Sequence, residues 1–199
     1  MATKLLFVCL GNICRSPAAE GVFLHLIKRR QLTDQFIVDS AGTGGWHVNH
    51  PADQRMQAAA LRRGIHLPSR ARQIELNDLA SFDHILAMDQ DNLRNLSGLA
   101  REFGSRSTAQ IRLMLSHARE VNTLDVPDPY YGGESGFEHV LDLLEDACQG
   151  LLMTSQVQRR LLGLKRTSKE QELAMHPHPH DNETGLRGRQ SPDQWSFHH

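Results

Sequence analysis

Apolar and polar positions change period several times along this chain, and each change marks an element. Leu5-Leu6-Phe7-Val8 is an unbroken apolar run, the pattern of a strand over Lys4 to Val8 buried on both faces. Ala19, Val22, Phe23, Leu26 and Ile27 then recur at helical spacing. That helix is predicted to open at Ser16-Pro17, with Ser16 as N-cap and Pro17 at the first helical position. Glu20 near its start and Lys28 to Arg30 at its end suit the helix dipole. Phe36-Ile37-Val38 reads as a second strand, followed by a glycine-rich loop over 41–45. A helix is expected over Asp53 to Arg63, stopping at Gly64, and a third strand over Phe82 to Met88. Asn92 to Phe103 reads as a helix, and Ile111 to Leu115 as a short strand whose alternation Met114 spoils. The clearest helix is Phe137 to Leu162, where Phe137, Val140, Leu141, Leu144, Ala147, Cys148, Leu151 and Leu152 share one face.

Strands alternating with helices imply βαβ units, a parallel sheet and right-handed crossovers, hence an α/β fold. After about Lys165 large apolar residues become scarce, and His176-Pro177-His178-Pro179-His180 interrupts any period. Residues 1–163 are therefore read as one domain. Residues 164–199 are read as a disordered polar tail, too poor in apolar surface to offset its ordering entropy. With 199 residues and 39% hydrophobic content, the chain suits one domain plus an appendage. A net charge of -1 gives no electrostatic case for nucleic acid or an anionic membrane as partner. Three cysteines, Cys9, Cys14 and Cys148, argue against a disulfide framework and for a reducing compartment. The apolar run near Met1 is too short for a signal core, Val8 before Cys9 does not suit a lipoprotein signal, and no stretch is long enough to span a bilayer. A cytoplasmic protein is expected.

The segment Cys9-Leu10-Gly11-Asn12-Ile13-Cys14-Arg15-Ser16-Pro17 lies between a predicted strand and a predicted helix. A loop ending at a helix N-terminus turns several backbone N–H groups toward one spot, and the dipole adds partial positive charge. Arg15 contributes a planar fork able to hold two phosphate oxygens. The same field favours the thiolate of Cys9. Gly11 permits close backbone approach, and Asn12 tolerates left-handed dihedrals. The competing reading makes Cys9 a core residue and Arg15 a surface one. Further along, Pro127 and Pro129 bracket Asp128 in a stiff loop. This arrangement suits a proton donor to a leaving phenolate, although an ordinary turn aspartate is the alternative. Trp46, Tyr130 and Tyr131 are candidate walls for a flat ring, with core packing as the alternative.

The first segment resembles the N-terminal signature of low-molecular-weight protein tyrosine phosphatases. The similarity continues through Asp39-Ser40-Ala41-Gly42-Thr43 with Trp46, Ala71-Arg72-Gln73, Phe82 to Asp89 with Asn92, and Asp128-Pro129-Tyr130-Tyr131-Gly132. It covers about residues 4 to 163. It implies a three-layer sandwich with a four-stranded parallel twisted sheet between helices and the phosphate loop between strand 1 and helix 1, with no metal and no organic cofactor. It further implies Cys9 as nucleophile, Arg15 as phosphate clamp and Asp128 as general acid and base. Leu10, Gly11, Asn12, Ile13, Cys14, Ser16 and Ser40 would bind phosphate or support the loop. Trp46 and Tyr130 or Tyr131 would line the cleft, and Cys14 would capture an oxidised Cys9 as a disulfide. Phosphotyrosine proteins or a cognate tyrosine kinase are the expected partners, and the protein is expected to be mostly monomeric. One departure stands out: many members carry a histidine shortly before Ala71-Arg72-Gln73, where this chain has Ser69.

Two other enzymes use the same loop. Arsenate reduction needs further cysteines to relay a disulfide, and this chain offers only Cys148, on the apolar face of the last predicted helix. Phosphoarginine hydrolases typically carry threonine where this chain has Ile13, whose bulk favours an aryl substrate. His176, His178 and His180 lack the fixed geometry of a metal site and read as solvated tail.

Overall fold

The computed structural model describes residues 2–130 and 133–175, those from 155 onward by their backbone alone. Four strands form one parallel sheet: β1 (Thr3–Cys9), β2 (Phe36–Gly42), β3 (His84–Ala87) and β4 (Gln110–Leu113). The helices are α1 (Arg15–Arg29), α2 (Gln54–Arg62), the single turn α3 (Asp78–Ser81), α4 (Gln90–Phe103) and α5 (Glu134–Met175). The strand order is β2-β1-β3-β4.

β1 explains the layering. Leu5 to Val8 are fully buried, and alternate side chains enter different cores. Leu5, Phe7 and Cys9 pack with α1, α2 and α5, through residues such as Phe23, Met56, Phe137 and Leu144. Leu6 and Val8 pack with Ile85, Leu79 and Leu96 on the other face, beneath α3 and α4. The expected three-layer arrangement is therefore present. β1 pairs with β2 on one side and β3 on the other, with Cys9 opposite Gly42. The chain thus reverses its winding direction at β1, and the crevice beyond the C-terminal ends of β1 and β3 is where open α/β sheets bind ligands.

Several elements differ from their predicted bounds, each for a physical reason. α1 begins at Arg15, with Cys14 as N-cap and no side-chain cap, so Ser16 lies inside the first turn. Its hydroxyl is taken up by Cys9 and Asn12. Glu20 is buried and hydrogen-bonded to Ser40 rather than facing the helix dipole. β4 ends at Leu113, and Met114, which broke the alternation, starts a 3₁₀ turn over Met114–His117 that buries both Met114 and Leu115. α5 continues past Leu162 to Met175, through a stretch without Gly or Pro from 164 onward and rich in good helix formers. Two compact units are distinguished, Met1–Gln158 and Arg159–His199. The segment 164–199, expected to be disordered, is helical over 164–175. Its remainder, with His176, His178 and His180, lies outside the described residues, as does Tyr131. No helix among the described residues is long and apolar enough to cross a membrane.

Candidate active site

Four loops meet at the C-terminal ends of the strands. The turn after β1 carries Cys9 to Cys14, and it is fixed from outside by its carbonyls. Thr43 N–H donates to the Cys9 carbonyl at 2.9 Å, Gly44 N–H to Leu10 at 2.9 Å and Asp53 N–H to Ile13 at 2.7 Å. Asn12 takes φ 54°, the left-handed geometry anticipated for it. Its N–H points at Cys9 Sγ, 3.3 Å away, while Ser16 Oγ lies 3.0 Å from the same sulfur. Cys9, Asn12, Arg15 and Ser16 are all buried.

A hydrogen-bonded chain runs from this sulfur into the protein. Asn12 Oδ1 accepts from Arg72 N–H at 2.8 Å, which orients its amide nitrogen toward two serines, Ser16 at 2.9 Å and Ser40 at 3.0 Å. Ser40 donates its own proton to Glu20 at 2.5 Å and so receives Asn12 on a lone pair. Ser16, receiving the other amide proton, has one hydroxyl hydrogen within reach of two acceptors, Cys9 Sγ at 3.0 Å and the Ala41 carbonyl at 3.3 Å. Ser69 favours the charged form of the Glu20 carboxyl, so the serine that stands in place of the expected histidine borders the same network. Burial raises the Glu20 carboxyl above its ordinary range, against the lowering effect of both serines. Glu20 was missed as a site residue because its position in the sequence suits an N-terminal helix charge.

Arg15 lines the same cavity as Cys9, and both terminal nitrogens of its guanidinium are engaged. Nη1 donates to Asp89 at 2.6 Å and to the Val126 carbonyl at 3.1 Å, and Nη2 to Asp128 at 3.2 Å. Asp89 also caps α4 by accepting from Asn92 N–H at 2.7 Å. The other oxygen of Asp128 accepts from Tyr130 N–H at 3.0 Å, and its side chain is 46% exposed. Asp128 therefore stands at the mouth of the site, not in the core.

A cavity of about 270 Å³ joins these groups, lined by Cys9, Leu10, Gly11, Ile13, Cys14, Arg15, Trp46, His47, Asp128 and Tyr130. Trp46 is 72% exposed and its ring lies against Gly44, where a Cβ would meet it at 1.8 Å. It is a rim residue, not a core one, and so is the exposed Tyr130. Ile13 both lines the cavity and packs on the core. Ser40 lies one layer below. Two residues that the sequence reading missed belong here. His47 stacks over Gly11, and Arg55 lies 5.3 Å from the Tyr130 ring while donating to the Tyr130 carbonyl and pairing with Asp53. All three cysteines are free and buried. Burial, followed by the charge of Asp53, pushes the Cys14 thiol up to about 12, so it stands protonated beside Cys9. Cys148, pushed up by burial, sits in the core against the Ala19 carbonyl. Among the described residues no group of His, Cys, Asp and Glu is arranged to hold a metal.

The family profile described as low molecular weight phosphotyrosine protein phosphatase matches residues 4–162. The chain belongs to that family. A human low molecular weight phosphotyrosine protein phosphatase is 43% identical over 152 residues, spanning 76% of this chain and 95% of its own. A crystal structure of a protein tyrosine phosphatase from Entamoeba histolytica superposes with a TM-score of 0.75 at 43% identity, covering 79% of this chain and 99% of that one. A Drosophila arginine phosphatase also superposes, with a TM-score of 0.73 at 34% identity over 77% of this chain and 98% of its own. Within the family, the match spans all four loops that converge on Cys9 and ends inside α5. It leaves the segment after residue 162 unmatched.

Proposed function

We propose that this protein hydrolyses phosphotyrosine in proteins, and small aryl phosphates, through a phosphocysteine intermediate. One observation carries the reading. Cys9 Sγ lies at the floor of a cavity sized for an aryl phosphate, between two hydrogen-bond donors, with Arg15 and Asp128 converging on the same space. The phosphate enters over Cys9 and takes the guanidinium edge that Asp128 holds in the free protein, while Asp89 keeps its grip on the other nitrogen. Cys9 Sγ attacks phosphorus in line. Asp128 delivers a proton to the departing phenolic oxygen, so the ester bond breaks as the S–P bond forms. Arg15 and the loop N–H groups stabilise the charge on the equatorial oxygens. A water then attacks phosphorus, Asp128 takes its proton, and the thiolate leaves with Ser16 Oγ–H donating to it. No step needs a metal or an organic cofactor. Phosphotyrosine proteins, or the kinase that phosphorylates them, are the partners this chemistry serves, and the cytoplasm is the expected site of action.

Phosphoarginine hydrolysis is the second reading, favoured by the likeness to the Drosophila arginine phosphatase. Ile13 weighs against it, since an apolar side chain in the cavity offers nothing to a guanidinium and suits a ring. Arsenate reduction is disfavoured by the burial of Cys148 in the core, away from any relay. Comparison of kcat/KM for phosphotyrosine and phosphoarginine peptides, in wild type and Ile13→Thr, tests the assignment. Phosphotyrosine should be preferred, and Ile13→Thr should narrow the preference. A wild-type preference for phosphoarginine would overturn it.

A further inference from the structure

The cleft that receives the phosphate has walls of unlike chemistry. On the side of Asp128, a neighbouring cavity over Arg15 is lined by Asp89, Asp91, Arg94 and Asp125; Asp89 pairs with Arg15 and Asp91 with Arg94, which leaves Asp125 without a cationic partner among the described residues. The opposite wall is the loop over 43–51, which contains no Asp or Glu. His47 lines the phosphate cavity beside Cys9 and Arg15. His50 follows, its ring centroid 6.1 Å from that of His47. Arg70 reaches the same loop from another segment, bridging to Pro51 and donating to the Asn49 carbonyl at 2.9 Å.

The state of these groups differs from that of the other arginines nearby. Arg55 is neutralised by Asp53, and Arg72 by Asp39 and Asp78. Arg70 keeps an exposed guanidinium with no carboxylate partner among the described residues, and a backbone carbonyl holds it in place. Both imidazoles carry an N–H donor in either protonation state, and a guanidinium fork matches a carboxylate. This cluster is a poor fit to a core or a lattice of internal pairs, and a good fit to an external acid.

A cavity of about 270 Å³ accommodates the aryl phosphate, so the residues that flank it in a protein must lie along the rim. Resting on the reading of phosphotyrosine as substrate, we propose that His47, His50 and Arg70 form a recognition wall for acidic side chains next to the phosphotyrosine. The substrates are then acidic phosphotyrosine segments. Asp125 on the far wall, which has no cationic partner among the described residues, repels the same side chains and directs them toward the histidines.

Three phosphotyrosine peptides that differ only in flanking Asp, Ser or Lys residues test this through kcat/KM. At low salt the acidic peptide should exceed the lysine peptide by about five- to tenfold, the range expected for a few exposed charge contacts. About 0.5 M salt should bring the ratio toward one, because screening shortens to a few ångströms. The triple variant His47→Asn, His50→Asn, Arg70→Gln should reduce the ratio to below about twofold. If that variant does not fold, the exposed Arg70→Gln alone should roughly halve it. Turnover of all three peptides at equal efficiency, or a ratio unaltered in these variants, overturns the acidic wall and leaves phosphotyrosine hydrolysis standing. Absence of turnover on every peptide, with phosphoarginine hydrolysed, overturns the substrate reading and the wall with it.

Discussion

The loop holding Cys9 and the loop holding Asp128 face one another across the same cavity, yet they are built in opposite ways. In the first, Cys9, Asn12, Arg15 and Ser16 are between 0% and 4% exposed, and a hydrogen-bonded chain reaches inward to a buried carboxyl. In the second, the Asp128 side chain is 46% exposed and is held by one guanidinium nitrogen and one N–H of its own turn. The difference suits what the proposed mechanism asks of each. A nucleophile that attacks in line needs a fixed position and a dry, preorganised field. A group that gives up a proton and later takes one from water needs access to solvent and freedom from a permanent partner. In the proposed mechanism, burying Asp128 as deeply as Cys9 would isolate it from the water it has to activate.

The largest effect that would break this comparison lies at the exposed loop. Asp128→Ala should slow hydrolysis of phenyl phosphate by on the order of 10²-fold or more, and that of an activated aryl phosphate far less. Only the poor leaving group needs the proton. Equal losses across a leaving-group series would make Asp128 a structural residue and remove the division of labour between the loops.

A smaller effect sharpens the buried side. Burial raises the Glu20 carboxyl above its ordinary value of 4.5, so the folded protein retains that proton to higher pH than the unfolded chain does. The stability Glu20 contributes is therefore complete below the ordinary value and declines as pH rises through the folded one. His117 acts in the reverse sense: burial lowers it to about 4, and stability declines as pH falls from 6.5 toward that value. Glu20→Gln abolishes the first contribution alone. The melting temperature of the variant relative to wild type should then increase as pH rises from about 4 to 7. Turnover of para-nitrophenyl phosphate should fall by less than about tenfold, the scale of one hydrogen bond. A difference in melting temperature that does not change with pH would show that Glu20 carries no such shift.

The two loops were also unequally legible in the sequence. The strand, the Gly and Asn turn and Arg15 lie within a few residues of each other, so their joint chemistry can be read locally. The parallel sheet followed from period and alternation for the same reason. Contacts made across large separations could not be read. Asp89 meets Arg15 from 74 residues away, and Arg55 reaches Tyr130 from 75. Glu20 was legible as a residue and misread in role, since helix-end propensity offered it a cheaper local explanation than the network that holds it, whereas for Ser16 only the N-cap placement fails, because Cys14 takes that position. His47 gave no signal beyond its place two residues after Gly45, and only the fold lays it over Gly11. The helical continuation over 164–175 shows composition without a breaker prevailing over the loss of a hydrophobic stripe.

The central claim is covalent: phosphate passes through Cys9. Mixing the protein with para-nitrophenyl phosphate, quenching in acid before steady state and mapping the modified peptide by mass tests it most directly. A phosphate adduct on Cys9 that forms and decays with turnover, and is missing with turnover abolished in Cys9→Ser, is the predicted result. Turnover without any adduct, an adduct on another residue, or full activity in Cys9→Ser would contradict it.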